Sequence, residues 1–305
     1  MEYVSTILSP QKEEGAVGPF GLGNAASLSG GETRVDGKAS YGFSLLRGKR
    51  NAMEDFHHSA YRKDPRTGAM VGLFGIFDGH GGPNAADYVR SNLFVNMMQS
   101  LSFRAALFAQ PRPPRDFAAA GPPATAAEAY ESTDSQYLRQ DIAHGRDDGC
   151  TAVTAVLVGT RLLVANVGDS RAVLSRGGKA LAMSIDHKPN VKEERARIEG
   201  AGGVVVWAGT WRVGGVLAVS RAFGDRPLKR FVIATPAIAE ESITSEDEFL
   251  LLASDGLWDV MTNQEAVTLI RDVTDPEKAS KRITEEAYQR GSNDNISCVV
   301  VRFKP

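Results

Sequence analysis

Between residues 151 and 185 the chain passes through four strand-like stretches with no helix between them. Residues 151–158, 161–167, 171–175 and 179–185 are rich in Val, Leu and Ala, and Gly159-Thr160, Gly168-Asp169 and Gly177-Gly178 punctuate them. Short apolar runs separated by Gly-containing pairs form the pattern of a β-meander. Parallel strands need long crossovers, so this stretch argues against a doubly wound parallel sheet.

The remaining pattern agrees. Residues 71–77, Val-Gly-Leu-Phe-Gly-Ile-Phe, are apolar throughout, which predicts a strand covered on both sides. Further strands are predicted at 249–253 and 297–303, and an edge-type strand at 41–46. Helices are predicted at 85–98 behind Pro83, at 124–141, at 263–272 and at 276–289, with a charged surface helix at 191–199. Ala279, Ile283 and Ala287 recur every four residues and give the helix at 276–289 an apolar stripe. Strands apolar on both faces plus separate amphipathic helices predict an α+β fold of sheets packed on each other with helices outside. Residues 1–38, rich in Gly, Ser and Ala, read as a flexible leader before a folded region at 39–305, and the Pro/Ala stretch 109–123 as a surface loop.

Composition excludes several classes. A formal net charge of −2 does not advertise nucleic acid as a partner, so phosphate binding must be local. Cys150 and Cys298 lie far apart, match no zinc spacing and read as reduced, buried thiols, consistent with a cytoplasmic or nuclear protein. No stretch is apolar and long enough for a bilayer span. The N-terminal residues lack a signal-peptide pattern, and Glu2, Glu13 and Glu14 argue against a transit sequence.

The predicted strands meet acidic turns. Residues 74–77 end at Asp78-Gly79, residues 249–253 end at Ser254-Asp255-Gly256, and Asp294-Asn295 precedes the strand at 297–303. Glu54-Asp55 and Gly168-Asp169 add two more acidic turns. Asp beside Gly is ordinary turn chemistry taken singly. If the fold gathers these ends, two unit charges about 4 Å apart cost roughly 4 kcal/mol at an effective dielectric near 20. Divalent cations relieve that cost, and oxygen ligands select hard ions such as Mg²⁺ or Mn²⁺. The glycines beside Asp78 and Asp255 would let metals and phosphate approach the backbone closely.

The set Arg50-Asn-Ala-Met-Glu54-Asp55, Phe77-Asp78-Gly79-His80-Gly81-Gly82, Gly168-Asp169-Ser170-Arg171, Ser254-Asp255-Gly256-Leu-Trp-Asp259 and Gly291-Ser-Asn-Asp294-Asn295 resembles the type 2C metal-dependent Ser/Thr protein phosphatases. The matches run in order from about residue 40 to residue 303, and the segment from Trp207 to Asp225 looks most like plant members. The resemblance implies a four-layer α-β-β-α sandwich of two antiparallel sheets flanked by helices. It implies two Mg²⁺ or Mn²⁺ ions bridged by Asp78, one served by Glu54 and the Gly79 carbonyl and the other by Asp255 and Asp294. Asp55 would hold a metal-bound water. Asp169 and Asp259 stay open between a weaker third metal site and plain turn or cap roles. Arg50 matches the phosphate-binding arginine and His80 the proposed general acid. A hydroxide bridging the two ions would attack phosphorus directly.

His57, His58, His144 and His187 read as turn or packing residues, and Trp207 and Trp211 as aromatics of a flap beside the cleft. The expected partners are phosphorylated protein substrates, with no nucleic acid and no membrane insertion, and the chain is expected to be a monomer. A catalytically silent scaffold and a hydrolase of small phosphoesters compete with the phosphatase reading. Intact Arg50, Asp78, Asp255 and Asp294 argue against the scaffold.

Overall fold

The computed structural model of the protein describes residues 27–108, 124–140 and 145–304. Two antiparallel sheets lie face to face, with helices on each outer face. One sheet runs β1 (Ser27–Thr33), β2 (Ala39–Leu46), β15 (Ile296–Phe303), β14 (Asp247–Ala253), β8 (Arg171–Arg176), β9 (Lys179–Ala182). The other runs β12 (Phe223–Gly224), β5 (Gly149–Cys150), β4 (Met70–His80), β6 (Ala152–Val158), β7 (Arg161–Val167), β13 (Ala237–Ser242), and β3 (Asp55–Lys63) pairs with β4. A separate hairpin joins β10 (Val205–Trp207) to β11 (Trp211–Val213).

The doubly apolar strands are explained by this layering. Phe74, Ile76, Val153, Ala155, Leu250, Leu252, Val299 and Val301 meet between the sheets. On the outer face of β4, Leu73 and Phe77 pack with Val89, Leu93 and Phe94 of α1 (Asn84–Gln99), beside α2 (Leu101–Leu107) and α3 (Ala124–Gln140). On the far side Leu251 and Val300 meet Val267 of α6 (Asn263–Ile270) and Ile283 and Ala287 of α7 (Pro276–Gln289). Asp275 accepts from the Glu277 and Lys278 amides and Pro276 opens the first turn, so α7 starts where its sequence says. The predicted stripe of Ala279, Ile283 and Ala287 is buried.

Five expectations change. The four-strand run is not one meander: β6 and β7 pair in one sheet, β8 and β9 in the other, and the chain crosses at Gly168–Ser170. Residues 183–185 lie beyond β9. β2 is not an edge, because β1 and β15 flank it. β1 lies inside the expected leader: Ser27–Thr33 pair with β2, and the Ser29 hydroxyl donates to Glu277 at 3.0 Å. Helix α4 (Lys192–Gly200) is not wholly a surface element, since Glu194 and Ile198 are buried. Residues 1–26, the Pro/Ala stretch 109–123 and His144 lie outside the described residues.

Candidate active site

The register of β3 and β4 sets Asp55 directly opposite Asp78. At the same end of the sandwich, α5 (Asp255–Trp258) opens at the end of β14 with Asp255, and Asp294 precedes β15. Asp169 sits at the crossing between sheets. One cleft of about 490 Å³ is lined by Arg50, Glu54, Asp78, Gly79, His80, Asp169, Asp255 and Asp294. The predicted residues are therefore brought together, except two. Asp55 is buried behind the cleft, 2% exposed. Asp259 faces a neighbouring hollow with Arg171 and Trp258, although its charge still reaches Asp255.

Backbone closeness makes the gathering possible. A Cβ on Gly256 would lie 2.0 Å from the Asn295 carbonyl oxygen, and one on Gly79 would lie 2.6 Å from that of Glu54. These glycines thus let strand ends approach each other, a different service from the ligand access expected of them. Asn295 ties the arrangement together. Its Nδ2 donates to the carbonyls of Arg47 (2.8 Å) and Ala52 (2.9 Å), and its Oδ1 accepts from the Glu54 amide (2.8 Å). The loop carrying Arg50 and Glu54 is so fastened to the start of β15.

The electrostatics are lopsided. Burial, then the charges of Asp55, Asp255, Asp169 and Asp294, holds the Asp78 carboxyl well above the usual carboxylate range. Burial, with Asp169, Asp259 and Asp294, does the same to Asp255. Burial pushes Asp55 up to about 6. Two cations answer part of this charge. The Arg50 guanidinium, 59% exposed, donates to Asp294 Oδ2 at 2.6 Å, and Lys188 pairs with Asp169.

Among the described residues no three His, Cys, Asp or Glu side chains close a metal site by themselves. The donor set nevertheless fits hard divalent ions. It is all carboxylate and carbonyl oxygen, and Asp55 Oδ2 is buried with no hydrogen-bond partner.

His80 lies at the rim, its Nε2 2.9 and 3.0 Å from the two carboxylate oxygens of Asp225. Burial works to lower its pKa, but the Asp225 hydrogen bond and charge outweigh it and the imidazole sits above its ordinary value. The other described histidines behave as packing residues. His57 stacks on Phe43 with centroids 3.8 Å apart, and burial pushes it down to about 3 and His187 likewise. His58 packs against Phe94, pushed down to about 4.

Trp207 and Trp211 stand edge to face, 5.6 Å between centroids, on the β10–β11 hairpin, and Trp207 is 63% exposed. Arg212 and Leu217 from this flap line the cleft. Sequence reasoning gave no role to Lys188, Arg212, Asp225 or Asn295. The last three stood inside quoted motifs, which was the only available signal.

The protein phosphatase 2C family model matches residues 39–296. The chain is 53% identical over 303 residues to the Arabidopsis thaliana protein named "Probable protein phosphatase 2C 59", covering 99% of this chain and 90% of that one. It is 54% identical over 296 residues to the protein of the same name from Oryza sativa subsp. japonica, covering 96% and 85%. A crystal structure of a phosphatase from a pathogenic strain of Toxoplasma gondii superposes with a TM-score of 0.74 at 25% identity, over 91% of this chain and 95% of that one.

Proposed function

The chain belongs to the protein phosphatase 2C family, metal-dependent Ser/Thr protein phosphatases of which it is a plant-type member, and on that premise we propose that the acidic cleft is where phosphoserine and phosphothreonine are hydrolysed. Its substrates are phosphoproteins. The observation that carries the assignment is the convergence of Asp78, Asp169, Asp255 and Asp294 on one cleft with Arg50 and His80 at its rim.

Asp78, Glu54, Asp255, Asp294 and the Gly79 carbonyl would hold two Mg²⁺ or Mn²⁺ ions, with Asp169 and Asp259 offering a weaker third position and Asp55 supporting from behind. Ions bound there supply an activated water as nucleophile and offset charge on the phosphoryl oxygens. Arg50 grips two of those oxygens with its planar fork, a geometry Lys does not reproduce. His80 gives a proton to the departing serine or threonine oxygen. Cys150 takes no covalent part: it is fully buried, and burial, then nearby carboxylates, pushes its thiol far up.

The test compares turnover of a phosphothreonine peptide and an aryl phosphate, with Mn²⁺ and with chelator, for wild type and Asp78→Asn. Metal-dependent peptide hydrolysis that vanishes in the variant is expected. No metal-dependent turnover of either substrate would overturn the assignment, and turnover of the aryl phosphate alone would redirect it to small phosphoesters.

A further inference from the structure

We propose that Asp225 is a positioning residue for this reaction, acting through His80 by holding Nε2 so that Nδ1 serves the leaving oxygen. The inference rests on the phosphatase reading above and deepens it.

Asp225 has φ 48° and ψ 48°, and it is the one non-glycine with positive φ among the described residues. Left-handed backbone is unfavourable for an L-residue, and such positions cluster where function requires them. The turn itself is held by backbone groups. The Asp225 amide donates to the Asp148 carbonyl at 3.0 Å, and its own carbonyl accepts from Leu228 at 2.9 Å. The side chain is left for another purpose, and both its oxygens take up His80 Nε2 while it stays 7% exposed.

The surroundings are shaped to this pair. A Cβ on Gly149 would lie 2.2 Å from Asp225 Oδ2 and 2.3 Å from His80 Nε2. Asp148, whose carbonyl anchors Asp225, has its own carboxylate fixed by the Ala85 amide (3.1 Å), Asn84 (3.2 Å) and the Tyr137 hydroxyl. The residue whose carbonyl anchors Asp225 is thus itself fastened to the start of α1, which follows the Asp78–His80 strand end.

The bond from phosphorus to the incoming water oxygen forms, with one proton of that water passing to solvent, as the bond to the serine or threonine oxygen breaks. The leaving oxygen takes the Nδ1 proton of a doubly protonated His80. The ring remains neutral with Nε2–H donated to Asp225, and solvent restores the Nδ1 proton.

The experiment exploits leaving groups. A threonine alkoxide needs a proton to depart, whereas p-nitrophenolate does not. Asparagine tolerates left-handed backbone, so Asp225→Asn keeps the turn. With Mn²⁺ present, Asp225→Asn is expected to lower kcat on a phosphothreonine peptide about 10²-fold with KM unchanged, and kcat on p-nitrophenyl phosphate by less than about threefold. The ratio of the two rates within one preparation does not depend on the fraction folded. His80→Ala should give the same selective loss, and the double variant should lose little more than either single one. Equal losses on both substrates, or multiplied losses in the double variant, would overturn the proposal. Wild-type protein without metal-dependent turnover of either substrate would instead sink the phosphatase reading beneath it.

Discussion

Glu194 and Asp78 are both acids taken out of water, and their surroundings treat them in opposite ways. Glu194 is 4% exposed, and its carboxylate accepts from Arg221 Nε at 3.0 Å, Arg197 Nη2 at 2.8 Å and the Ser220 hydroxyl at 2.7 Å. Burial works to raise it, yet hydrogen bonds and charge from Arg221, then Arg197 and Ser220, hold it down at about 2. Asp78 meets four further aspartates, and burial and their charges drive it the other way. One cluster brings its own cations. The other is left short of them, and that shortage, placed in a cleft, is the electrostatic ground of the ion site proposed above.

The contrast can be broken in several ways. Asp78→Asn should lower metal-dependent peptide turnover about ten-thousandfold, or about 5 kcal/mol at 1.36 kcal/mol per decade. The same change should raise the melting temperature measured in chelator, because it removes one of several crowded charges. A lower melting temperature in chelator would contradict the crowding. Glu194→Ala should do the reverse. Stranding Arg221 and Arg197 should cost about 4 kcal/mol of unfolding free energy, read from urea denaturation.

Acid should separate the two clusters next. The folded value of Glu194 is depressed below its ordinary 4.5, so its stabilisation is complete above that pH and disappears as pH falls toward about 2. About 3 kcal/mol should be lost over that window, and Glu194→Gln should flatten it. The smallest effect is metal stabilisation. Mg²⁺ at a hundredfold excess over its dissociation constant should add about 2.7 kcal/mol to wild type. Asp78→Asn should abolish that gain and Glu194→Gln should keep it.

Much of this was legible in the chain, for identifiable reasons. Gly pairs and apolar runs marked β6, β7 and β14 because turn chemistry and burial are local facts. Pairing is not local. β8 leaves its neighbour β7 and joins β14, whose residues lie about seventy positions further on, and nothing in residues 161–176 announces it. β1 carries Ser and Gly with Leu28 as its one apolar residue, so its pairing with β2, the packing of Leu28 and the distant Glu277 make it a strand. In the site, acidic residues beside glycine could be listed from the sequence, but not which of them stand in the cleft. Asp259 looked equivalent to Asp169 and faces another hollow. Glu194 looked like one more charge on a charged helix, until Arg221 is found against it across 27 positions of sequence.

The tie made by Asn295 carries a consequence for biosynthesis. β15 fills the gap between β2 and β14, and the residues just ahead of it pin the loop holding Arg50 and Glu54. During translation, a nascent chain with every other described strand already emerged still lacks Asp294 and that clamp. Long-range pairing of this kind is slow, and chains are made at about 5–20 residues per second. Until β15 is inserted, the emerging polypeptide therefore has no assembled cleft, and the proposed site is completed in one step.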